Sequence, residues 1–147
     1  AFTFIQGLET LPLRMQRHCE NADKVANFLS KHNKIDKVIY PNLMSGVHKE
    51  RADKYLNIGK GALLGFELKN GEEAGKTFID NLKLLYHVAN IGDARSLAIH
   101  PASTTHSQLS DQEKLASGVT PGYVRLSIGI EHVDDIIADL EQALEKI

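Results

Sequence analysis

The feature of this sequence that most restricts its fold is an apolar stripe near the N terminus. Apolar side chains recur at intervals of three and four residues, at Leu8, Leu11, Met15, Cys19, Ala22, Ala26 and Leu29. This spacing places them on one face of a long α-helix, which must pack against a second layer. We expect Pro12 in the first turn of that helix or at a kink, because proline has no N–H to donate from an interior position.

Strand and helix patterns follow one another along the rest of the chain. Short apolar or alternating runs predict strands at 36–41, 62–68, 85–92 and 123–130, and amphipathic runs predict helices at 47–56 and 71–82. A capping box of Ser110 and Glu113 marks the start of another helix, and the C-terminal helix has its inward positions at Val133, Ile136, Ile137, Leu140 and Leu144. Because the intervening helices are uneven in length, we predict an α+β fold with a small, mainly antiparallel sheet and helices packed on one face.

Composition restricts the class of protein. A length of 147 residues suits a single domain, and 42% hydrophobic with 24% charged residues is typical of a globular chain. A net charge of −2 argues against binding to nucleic acid or to an anionic membrane, and no apolar run is long enough to span a bilayer. Cys19 is the only cysteine, which indicates a reducing, cytoplasmic location. Because the chain begins at Ala1, we also expect it to be a fragment.

The run HPASTTH, residues 100–106, combines two histidines with three hydroxyl side chains. We reject a metal site, because the spacing of His87, His100 and His106 matches no usual zinc motif. A nucleophilic Ser103 is disfavoured because the sequence around it is not a nucleophile elbow. We therefore expect His100 and His106 to be structural.

Two other candidate sites carry a weak signal. Gly59, Gly61 and Gly65 precede and enter a predicted strand, whereas a phosphate-binding glycine loop follows a strand and precedes a helix. These glycines therefore indicate a turn and close backbone packing. Cys19 lies on the apolar stripe of the first helix, so we expect a buried structural thiol.

Arg125 is the most informative single residue, because it lies in the middle of a predicted strand. Alternation places Val124, Leu126 and Ile128 on one face of that strand and Tyr123, Arg125 and Ser127 on the other. One interpretation is an exposed arginine on the solvent face of the sheet. The other is a planar guanidinium, held by a rigid strand, that binds a carboxylate with two hydrogen bonds. The local pattern does not distinguish these interpretations.

Four stretches together resemble the C-terminal domain of the Cys/Met-metabolism family of pyridoxal-5'-phosphate (PLP) enzymes over nearly the whole chain. They are GLETLPLRMQRHCENA at 7–22, NIGDARSLAIHPASTTH at 90–106, GVTPGYVRLSIGIE at 118–131 and VDDIIADLEQAL at 133–144. The resemblance implies the small-domain fold of these enzymes, a cytoplasmic location and an amino-acid substrate. Asn90 and the run Ser103-Thr104-Thr105-His106 are most similar to the O-acetylhomoserine sulfhydrylases of the family.

The resemblance assigns three substrate-binding residues. Arg125 would bind the α-carboxylate of the substrate, Asn90 would lie against the same carboxylate through its backbone or side chain, and Thr105 would support that corner with its hydroxyl. The reaction implied is PLP-dependent γ-replacement, in which sulfide displaces acetate from O-acetylhomoserine and gives homocysteine. A cystathionine synthase or lyase, or a methionine gamma-lyase, of the same family is the alternative.

The elements with which the family binds PLP do not occur in this sequence. No Ser-x-(Thr/Ser)-Lys motif for the Schiff-base lysine is present. We therefore expect residues 1–147 to be a substrate-recognition fragment that is inactive alone, with no catalytic, cofactor-binding or metal-binding residue of its own. The resemblance implies a large PLP-binding domain as its partner and a homotetrameric parent enzyme. A free-standing amino-acid-binding module stays open as a second class of function.

Overall fold

The computed structural model describes the whole chain, residues 1–147, as six α-helices and five β-strands. None of the helices combines the length and apolarity that crossing a membrane requires. The helices are α1 (Phe2–Glu9), α2 (Leu11–Leu29), α3 (Gly46–Tyr55), α4 (Gly71–Asn81), α5 (Asp111–Ala116) and α6 (Val133–Leu144). The strands are β1 (Ile35–Ile39), β2 (Leu63–Leu68), β3 (Tyr86–His87), β4 (Leu97–Ile99) and β5 (Tyr123–Ser127).

The five strands form one sheet in the order β1-β2-β5-β4-β3. Every neighbouring pair is antiparallel except β3 and β4, which are parallel. The predicted α+β fold with a mainly antiparallel sheet is therefore confirmed. The strand that carries Arg125 is the middle one, paired on both sides, so its backbone is fixed by two hydrogen-bonded ladders.

One hydrophobic core lies between the sheet and helices α2, α4 and α6. Val124, Leu126 and Ile128 are fully buried in it, which confirms the predicted alternation along β5. Phe66 of β2 meets Phe78 of α4 edge-on, with ring centroids 5.5 Å apart. Helices α2, α4 and α6 thus cover one face of the sheet, as predicted. The side chains of Tyr123 and Arg125 lie on the other face.

The predicted first helix differs from the observed one in two respects. The helical path is interrupted at Thr10, so Leu8 lies in α1, and Pro12 occupies the first turn of α2 as expected. The predicted apolar face is also wrong in its first half, since Leu8 is 63% and Met15 39% exposed. The physical reason is that α2 is buried only from His18 onward, where the buried side chains are His18, Asn21, Ala22, Val25, Ala26 and Leu29.

The predicted strand at 85–92 is wrong in its extent. Only Tyr86 and His87 form the strand; the N–H of Val88 donates to the carbonyl of Ala98 at 3.2 Å, and the chain then leaves the sheet. A short strand that the sequence pattern did not reveal, β4, lies between β3 and β5. Three residues are too few to show a period of two, so β4 is defined by its pairing partners rather than by its own sequence.

Candidate functional site

Arg125 lies at the centre of the sheet, on the face opposite to the helices. Its cross-strand neighbours are Gly65 on β2 and Ile99 on β4. Gly65 has no side chain, and the ring of Tyr123 occupies the space, since a Cβ at Gly65 would lie 2.5 Å from Tyr123 Cε2. The close packing predicted for Gly65 is therefore confirmed, and it brings the tyrosine ring beside the arginine.

The two other glycines of that group also have the predicted structural roles. Gly61 has φ +83°, a left-handed turn conformation that favours glycine. A Cβ at Gly59 would lie 2.7 Å from the sulfur of Cys19, so Gly59 permits close packing against α2. Cys19 is only partly buried in that contact, so the prediction of a buried thiol is wrong in extent: the residue also lines a depression at the surface.

The guanidinium of Arg125 is only partly satisfied within the chain. Its Nη2 donates to the backbone carbonyl of Asn90 at 3.2 Å, and this is its one hydrogen bond. Its Nε is buried and has no partner, and no carboxylate forms an ion pair with it. The guanidinium has five N–H donors, and only one of them has an acceptor. The remaining donors leave a binding position for an anionic group.

Asn90 contacts Arg125 through its main chain rather than its side chain. The side-chain oxygen of Asn90 accepts from the N–H of Ile91 at 2.9 Å, so the side chain turns back on its own backbone. The contact of Asn90 with the substrate carboxylate, through its backbone or its side chain, stays a prediction.

Thr105 lines the same cavity as Arg125 but does not contact the guanidinium. The cavity has a volume of about 340 Å³, and Ile39, Ile99 and Val119 contribute its apolar wall. The hydroxyl of Thr105 pairs with Nδ1 of His106 at 2.9 Å. Of the three predicted site residues, Arg125 and Asn90 are thus in direct contact, and Thr105 lines the cavity that Arg125 also lines.

Larger depressions lie elsewhere, but size alone does not identify a site. One of about 860 Å³ lies between α2 and the loop before β2 and is lined by Met15, Cys19 and Ile58. Another of about 570 Å³ lies beside Lys24 and Lys31. The first contains no buried polar atom that lacks a partner. The second contains one, an oxygen of Glu141, but that carboxylate lies 3.6 Å from His32. The cavity of Arg125 is distinguished by a partly exposed guanidinium whose buried Nε has no partner and whose charge no carboxylate balances.

His100 explains why the HPASTTH run forms one wall of this cavity. Its Nε2 lies 2.7 Å from the carbonyl of Pro121 and its Nδ1 lies 2.8 Å from the hydroxyl of Ser103. A carbonyl only accepts, so we assign the proton to Nε2 and let Ser103 donate to Nδ1. Burial lowers the pKa of His100, which favours this neutral ring. His100 therefore connects the run to the loop before β5, consistent with the structural role expected for it.

Sequence reasoning did not find the residue that makes room for this ring. Gly75 lies in α4, and a Cβ there would lie 2.5 Å from Cδ2 of His100. A glycine in the interior of a predicted helix was the available signal, since it weakens a helix unless packing requires it. The histidines of the run lie in no group of three or more residues able to hold a metal ion.

Comparison with known proteins places this chain in a family. The model of the Cys/Met metabolism PLP-dependent enzymes matches residues 1–145. The chain is 57% identical over its full length to O-acetyl-L-homoserine sulfhydrylase of Leptospira meyeri, of which it covers 34%. It is 52% identical over its full length to L-methionine gamma-lyase of Fusobacterium nucleatum subsp. polymorphum, of which it covers 37%.

A solved structure agrees in fold. A protein described as an O-acetylhomoserine (thiol)-lyase from Campylobacter jejuni subsp. jejuni, which carries N'-pyridoxyl-lysine-5'-monophosphate, superposes with a TM-score of 0.87. It shares 49% sequence identity with the chain, over 95% of the chain and 33% of that protein. The chain thus spans about a third of the length of the relatives it matches. It belongs to the Cys/Met metabolism family of PLP-dependent enzymes.

Proposed function

We propose that residues 1–147 are the substrate-recognition part of a longer PLP-dependent enzyme, and that Arg125 binds the α-carboxylate of its amino-acid substrate. The observation that carries this proposal is the guanidinium at the wall of a cavity, which has one hydrogen bond to a carbonyl, an Nε without a partner and no carboxylate beside it. An ionised carboxylate would supply two acceptors in the plane of that group. It would also be attracted by a positive charge that no side chain of the cavity neutralises.

The orientation of the substrate follows from this contact. Two hydrogen bonds from one rigid guanidinium hold the carboxylate in position and fix its rotation about Cα. One bond at Cα is then presented in a set direction to the reacting groups. The Asn90 carbonyl contributes by holding Nη2, which limits the rotation of the guanidinium itself.

PLP would supply an electron-withdrawing ring and an aldehyde that reacts with an amine. The lining of the Arg125 cavity includes no lysine for covalent attachment and no carboxylate to pair with a pyridinium nitrogen. The residues of this cavity therefore do not fit PLP by themselves. We assign them only to the carboxylate end of the substrate, and we propose that the cofactor is bound by the remainder of the parent protein.

Exposed apolar side chains support the existence of such a remainder. Phe2, Phe4 and Leu8 of α1 and Leu13 of α2 are each more than half exposed, although they are large and apolar. Several large, exposed apolar side chains on neighbouring helices are typical of a contact region. We propose that the large domain of the parent covers it, since the relatives are about three times as long as this chain. The homotetramer implied by the resemblance is part of the same proposal.

The reaction that we propose is γ-replacement: sulfide displaces the acetoxy group of O-acetylhomoserine, and homocysteine and acetate are formed. The features that support it are Asn90 and the run Ser103-Thr104-Thr105-His106, together with 57% identity to a sulfhydrylase. A γ-lyase of the same family is the competing reaction, supported by a relative at 52% identity.

The test is a pair of assays on the full-length parent protein. We expect homocysteine to form from O-acetyl-L-homoserine only when sulfide is present. Thiol release from L-methionine is expected to be much slower. Rapid thiol release from methionine, without sulfide-dependent formation of homocysteine, would identify the parent as a lyase and contradict the proposed reaction.

A further inference from the structure

The carbonyl that contacts Arg125 belongs to a segment without regular structure. Residues 88–96 lie outside every helix and strand, and residues 88–95 are exposed to solvent. The segment has no apolar side chain buried in the core. The guanidinium of Arg95 lies 4.8 Å from the centroid of the Tyr86 ring, and the other contacts that hold the segment are hydrogen bonds to its neighbours. These hydrogen bonds determine where the Asn90 carbonyl lies.

Most of these hydrogen bonds come from β5 and the residues that directly follow it. The hydroxyl of Ser127 accepts from the N–H of Gly92 at 3.2 Å, and the N–H of Ile130 donates to the carbonyl of Ala94 at 2.9 Å. The strand that carries Arg125 thus also holds the segment that orients Arg125.

Glu131 makes the strongest of these connections. One of its carboxylate oxygens accepts from the N–H of Ser96 at 2.6 Å, and the other accepts from the Ser96 hydroxyl at 3.0 Å. The Ser96 oxygen in turn accepts from the N–H of Gly129 at 2.8 Å. A carboxylate that accepts from both N–H and O–H of one residue fixes that residue more firmly than neutral acceptors do.

The backbone approach at this point is too close for a side chain. A Cβ at Gly129 would lie 2.5 Å from the carbonyl carbon of Arg95. The 88–96 segment therefore lies directly against the chain that leaves β5, and a small change in one shifts the other.

The chain that leaves β5 is held from its other side by α2. Asn21 donates to the carbonyls of Gly129 and Glu131 at 3.0 and 2.9 Å, and Nδ1 of His18 lies 2.6 Å from the carbonyl of Ile128. Both of these polar side chains are buried on the face of α2 that packs on the core. Glu131 thus connects a rigid support on α2 to the exposed segment.

We propose that Glu131 is a positioning residue for carboxylate recognition: it holds the 88–96 segment against β5 and thereby places the Asn90 carbonyl on Arg125. This inference rests on the proposed function of Arg125. Glu131 contacts neither the guanidinium nor the cavity. It acts through Ser96 and the backbone that leads to Asn90.

The test uses the full-length PLP-loaded parent and two probes, L-norleucine and n-pentylamine, which differ only by the carboxylate. Dissociation constants are measured for wild type, Glu131→Ala and Glu131→Gln. Glu131→Ala is expected to weaken binding of L-norleucine about tenfold, because the arginine is no longer held in place, and to leave n-pentylamine unchanged. Glu131→Gln retains an oxygen acceptor for the Ser96 N–H and is expected to restore most of the affinity.

Glu113→Ala is the matched control. Glu113 accepts from the N–H and hydroxyl of Ser110 at 2.9 and 2.7 Å, both at Oε2, which makes a similar glutamate–serine pair at the start of α5 without touching the 88–96 segment. It is expected to leave both dissociation constants unchanged. If Glu131→Ala does not fold, Ser127→Ala is measured in its place. This smaller change removes the hydroxyl that accepts from the N–H of Gly92, and it is expected to weaken binding of L-norleucine but not of n-pentylamine.

Arg125→Ala tests the proposed function of Arg125 separately from the role of Glu131. If Arg125→Ala weakens the binding of both probes equally, the proposed function and the role of Glu131 are both overturned. If Arg125→Ala is selective for L-norleucine but Glu131→Ala weakens neither probe, or both equally, only the positioning role is overturned. If both variants lose affinity for L-norleucine but not for n-pentylamine, the result supports both the proposed function and the positioning role.

Discussion

Nη2 of Arg125 donates to the backbone carbonyl of Asn90 at 3.2 Å, and the two residues are 35 positions apart in the chain. The contact joins the central strand of the sheet to an exposed segment that begins after β3. Because the other donors of the guanidinium have no acceptor, the contact orients the cation without neutralising it.

Arg125→Lys keeps the positive charge but removes the planar arrangement of donors. We expect the affinity for an α-amino acid to fall about 30-fold in the full-length protein, because about 2 kcal/mol of charge-assisted hydrogen bonding is lost. Titration calorimetry with L-norleucine measures this change. Arg51→Lys, at an exposed position of α3, is the matched control and should bind like wild type. Wild-type affinity in Arg125→Lys would show that only charge matters at this position.

Asn90→Ala and Gly92→Ala distinguish the side chain from the backbone. Asn90→Ala leaves the carbonyl in place, so we expect less than a twofold change in affinity for L-norleucine. Gly92 has φ +81° with open space around its Cα, so Gly92→Ala adds backbone strain of about 1 kcal/mol and no steric contact. Release of that strain by a shift of the segment should weaken binding about fivefold. A larger loss in Asn90→Ala than in Gly92→Ala would assign recognition to the Asn90 side chain instead.

Local sequence was sufficient to predict the elements that depend on local chemistry. The capping box of Ser110 and Glu113 is observed as predicted, because both partners lie within four residues. The alternation along β5 is also observed, since Val124, Leu126 and Ile128 are buried. These patterns correctly placed Arg125 on the face opposite to the helices.

The contacts that complete the site join residues far apart in the chain, and local patterns do not reveal them. His18 and Asn21 interrupt the apolar face of α2, and their buried position is explained only by carbonyls at 128–131. The pairing of Arg125 with the carbonyl of Asn90 is of the same kind. The resemblance brought Asn90 and Thr105 to attention, but it did not specify that the contact uses the main chain.

Gly75→Ala tests the contact between α4 and His100. In an exposed helix, alanine is more favourable than glycine by about 1 kcal/mol. At Gly75 the added Cβ would lie 2.5 Å from Cδ2 of a buried, doubly hydrogen-bonded ring, so we expect a net loss of about 1–3 kcal/mol in the free energy of unfolding. Gly7→Ala is the matched control, since nothing lies within 4 Å of its Cβ position in α1. Urea unfolding should show Gly7→Ala at least as stable as wild type, and equal gains in both variants would rule out the proposed packing.

His100 should make the stability of the chain depend on pH in one direction. Burial lowers the pKa of His100 below its ordinary value of 6.5, so the unfolded chain binds the proton more readily than the folded one. The free energy of unfolding attributable to this group is therefore fully present above pH 6.5 and decreases as the pH falls below that value. Of the charged groups nearby, Glu72 opposes this shift, whereas Lys76 and His87 add to it.

His100→Gln is the variant that tests this dependence. The glutamine amide can still donate to the Pro121 carbonyl but does not titrate. We expect the variant to be less stable than wild type at about pH 7.5, because the contact with Ser103 is lost, and to lose less stability than wild type down to about pH 5. Urea unfolding at a series of pH values measures both effects, and His48→Gln, at an exposed position of α3, should follow the wild-type profile. Parallel profiles for wild type and His100→Gln would mean that the buried ring does not control the acid sensitivity of this fold, and the lowered pKa assigned to it would have to be abandoned.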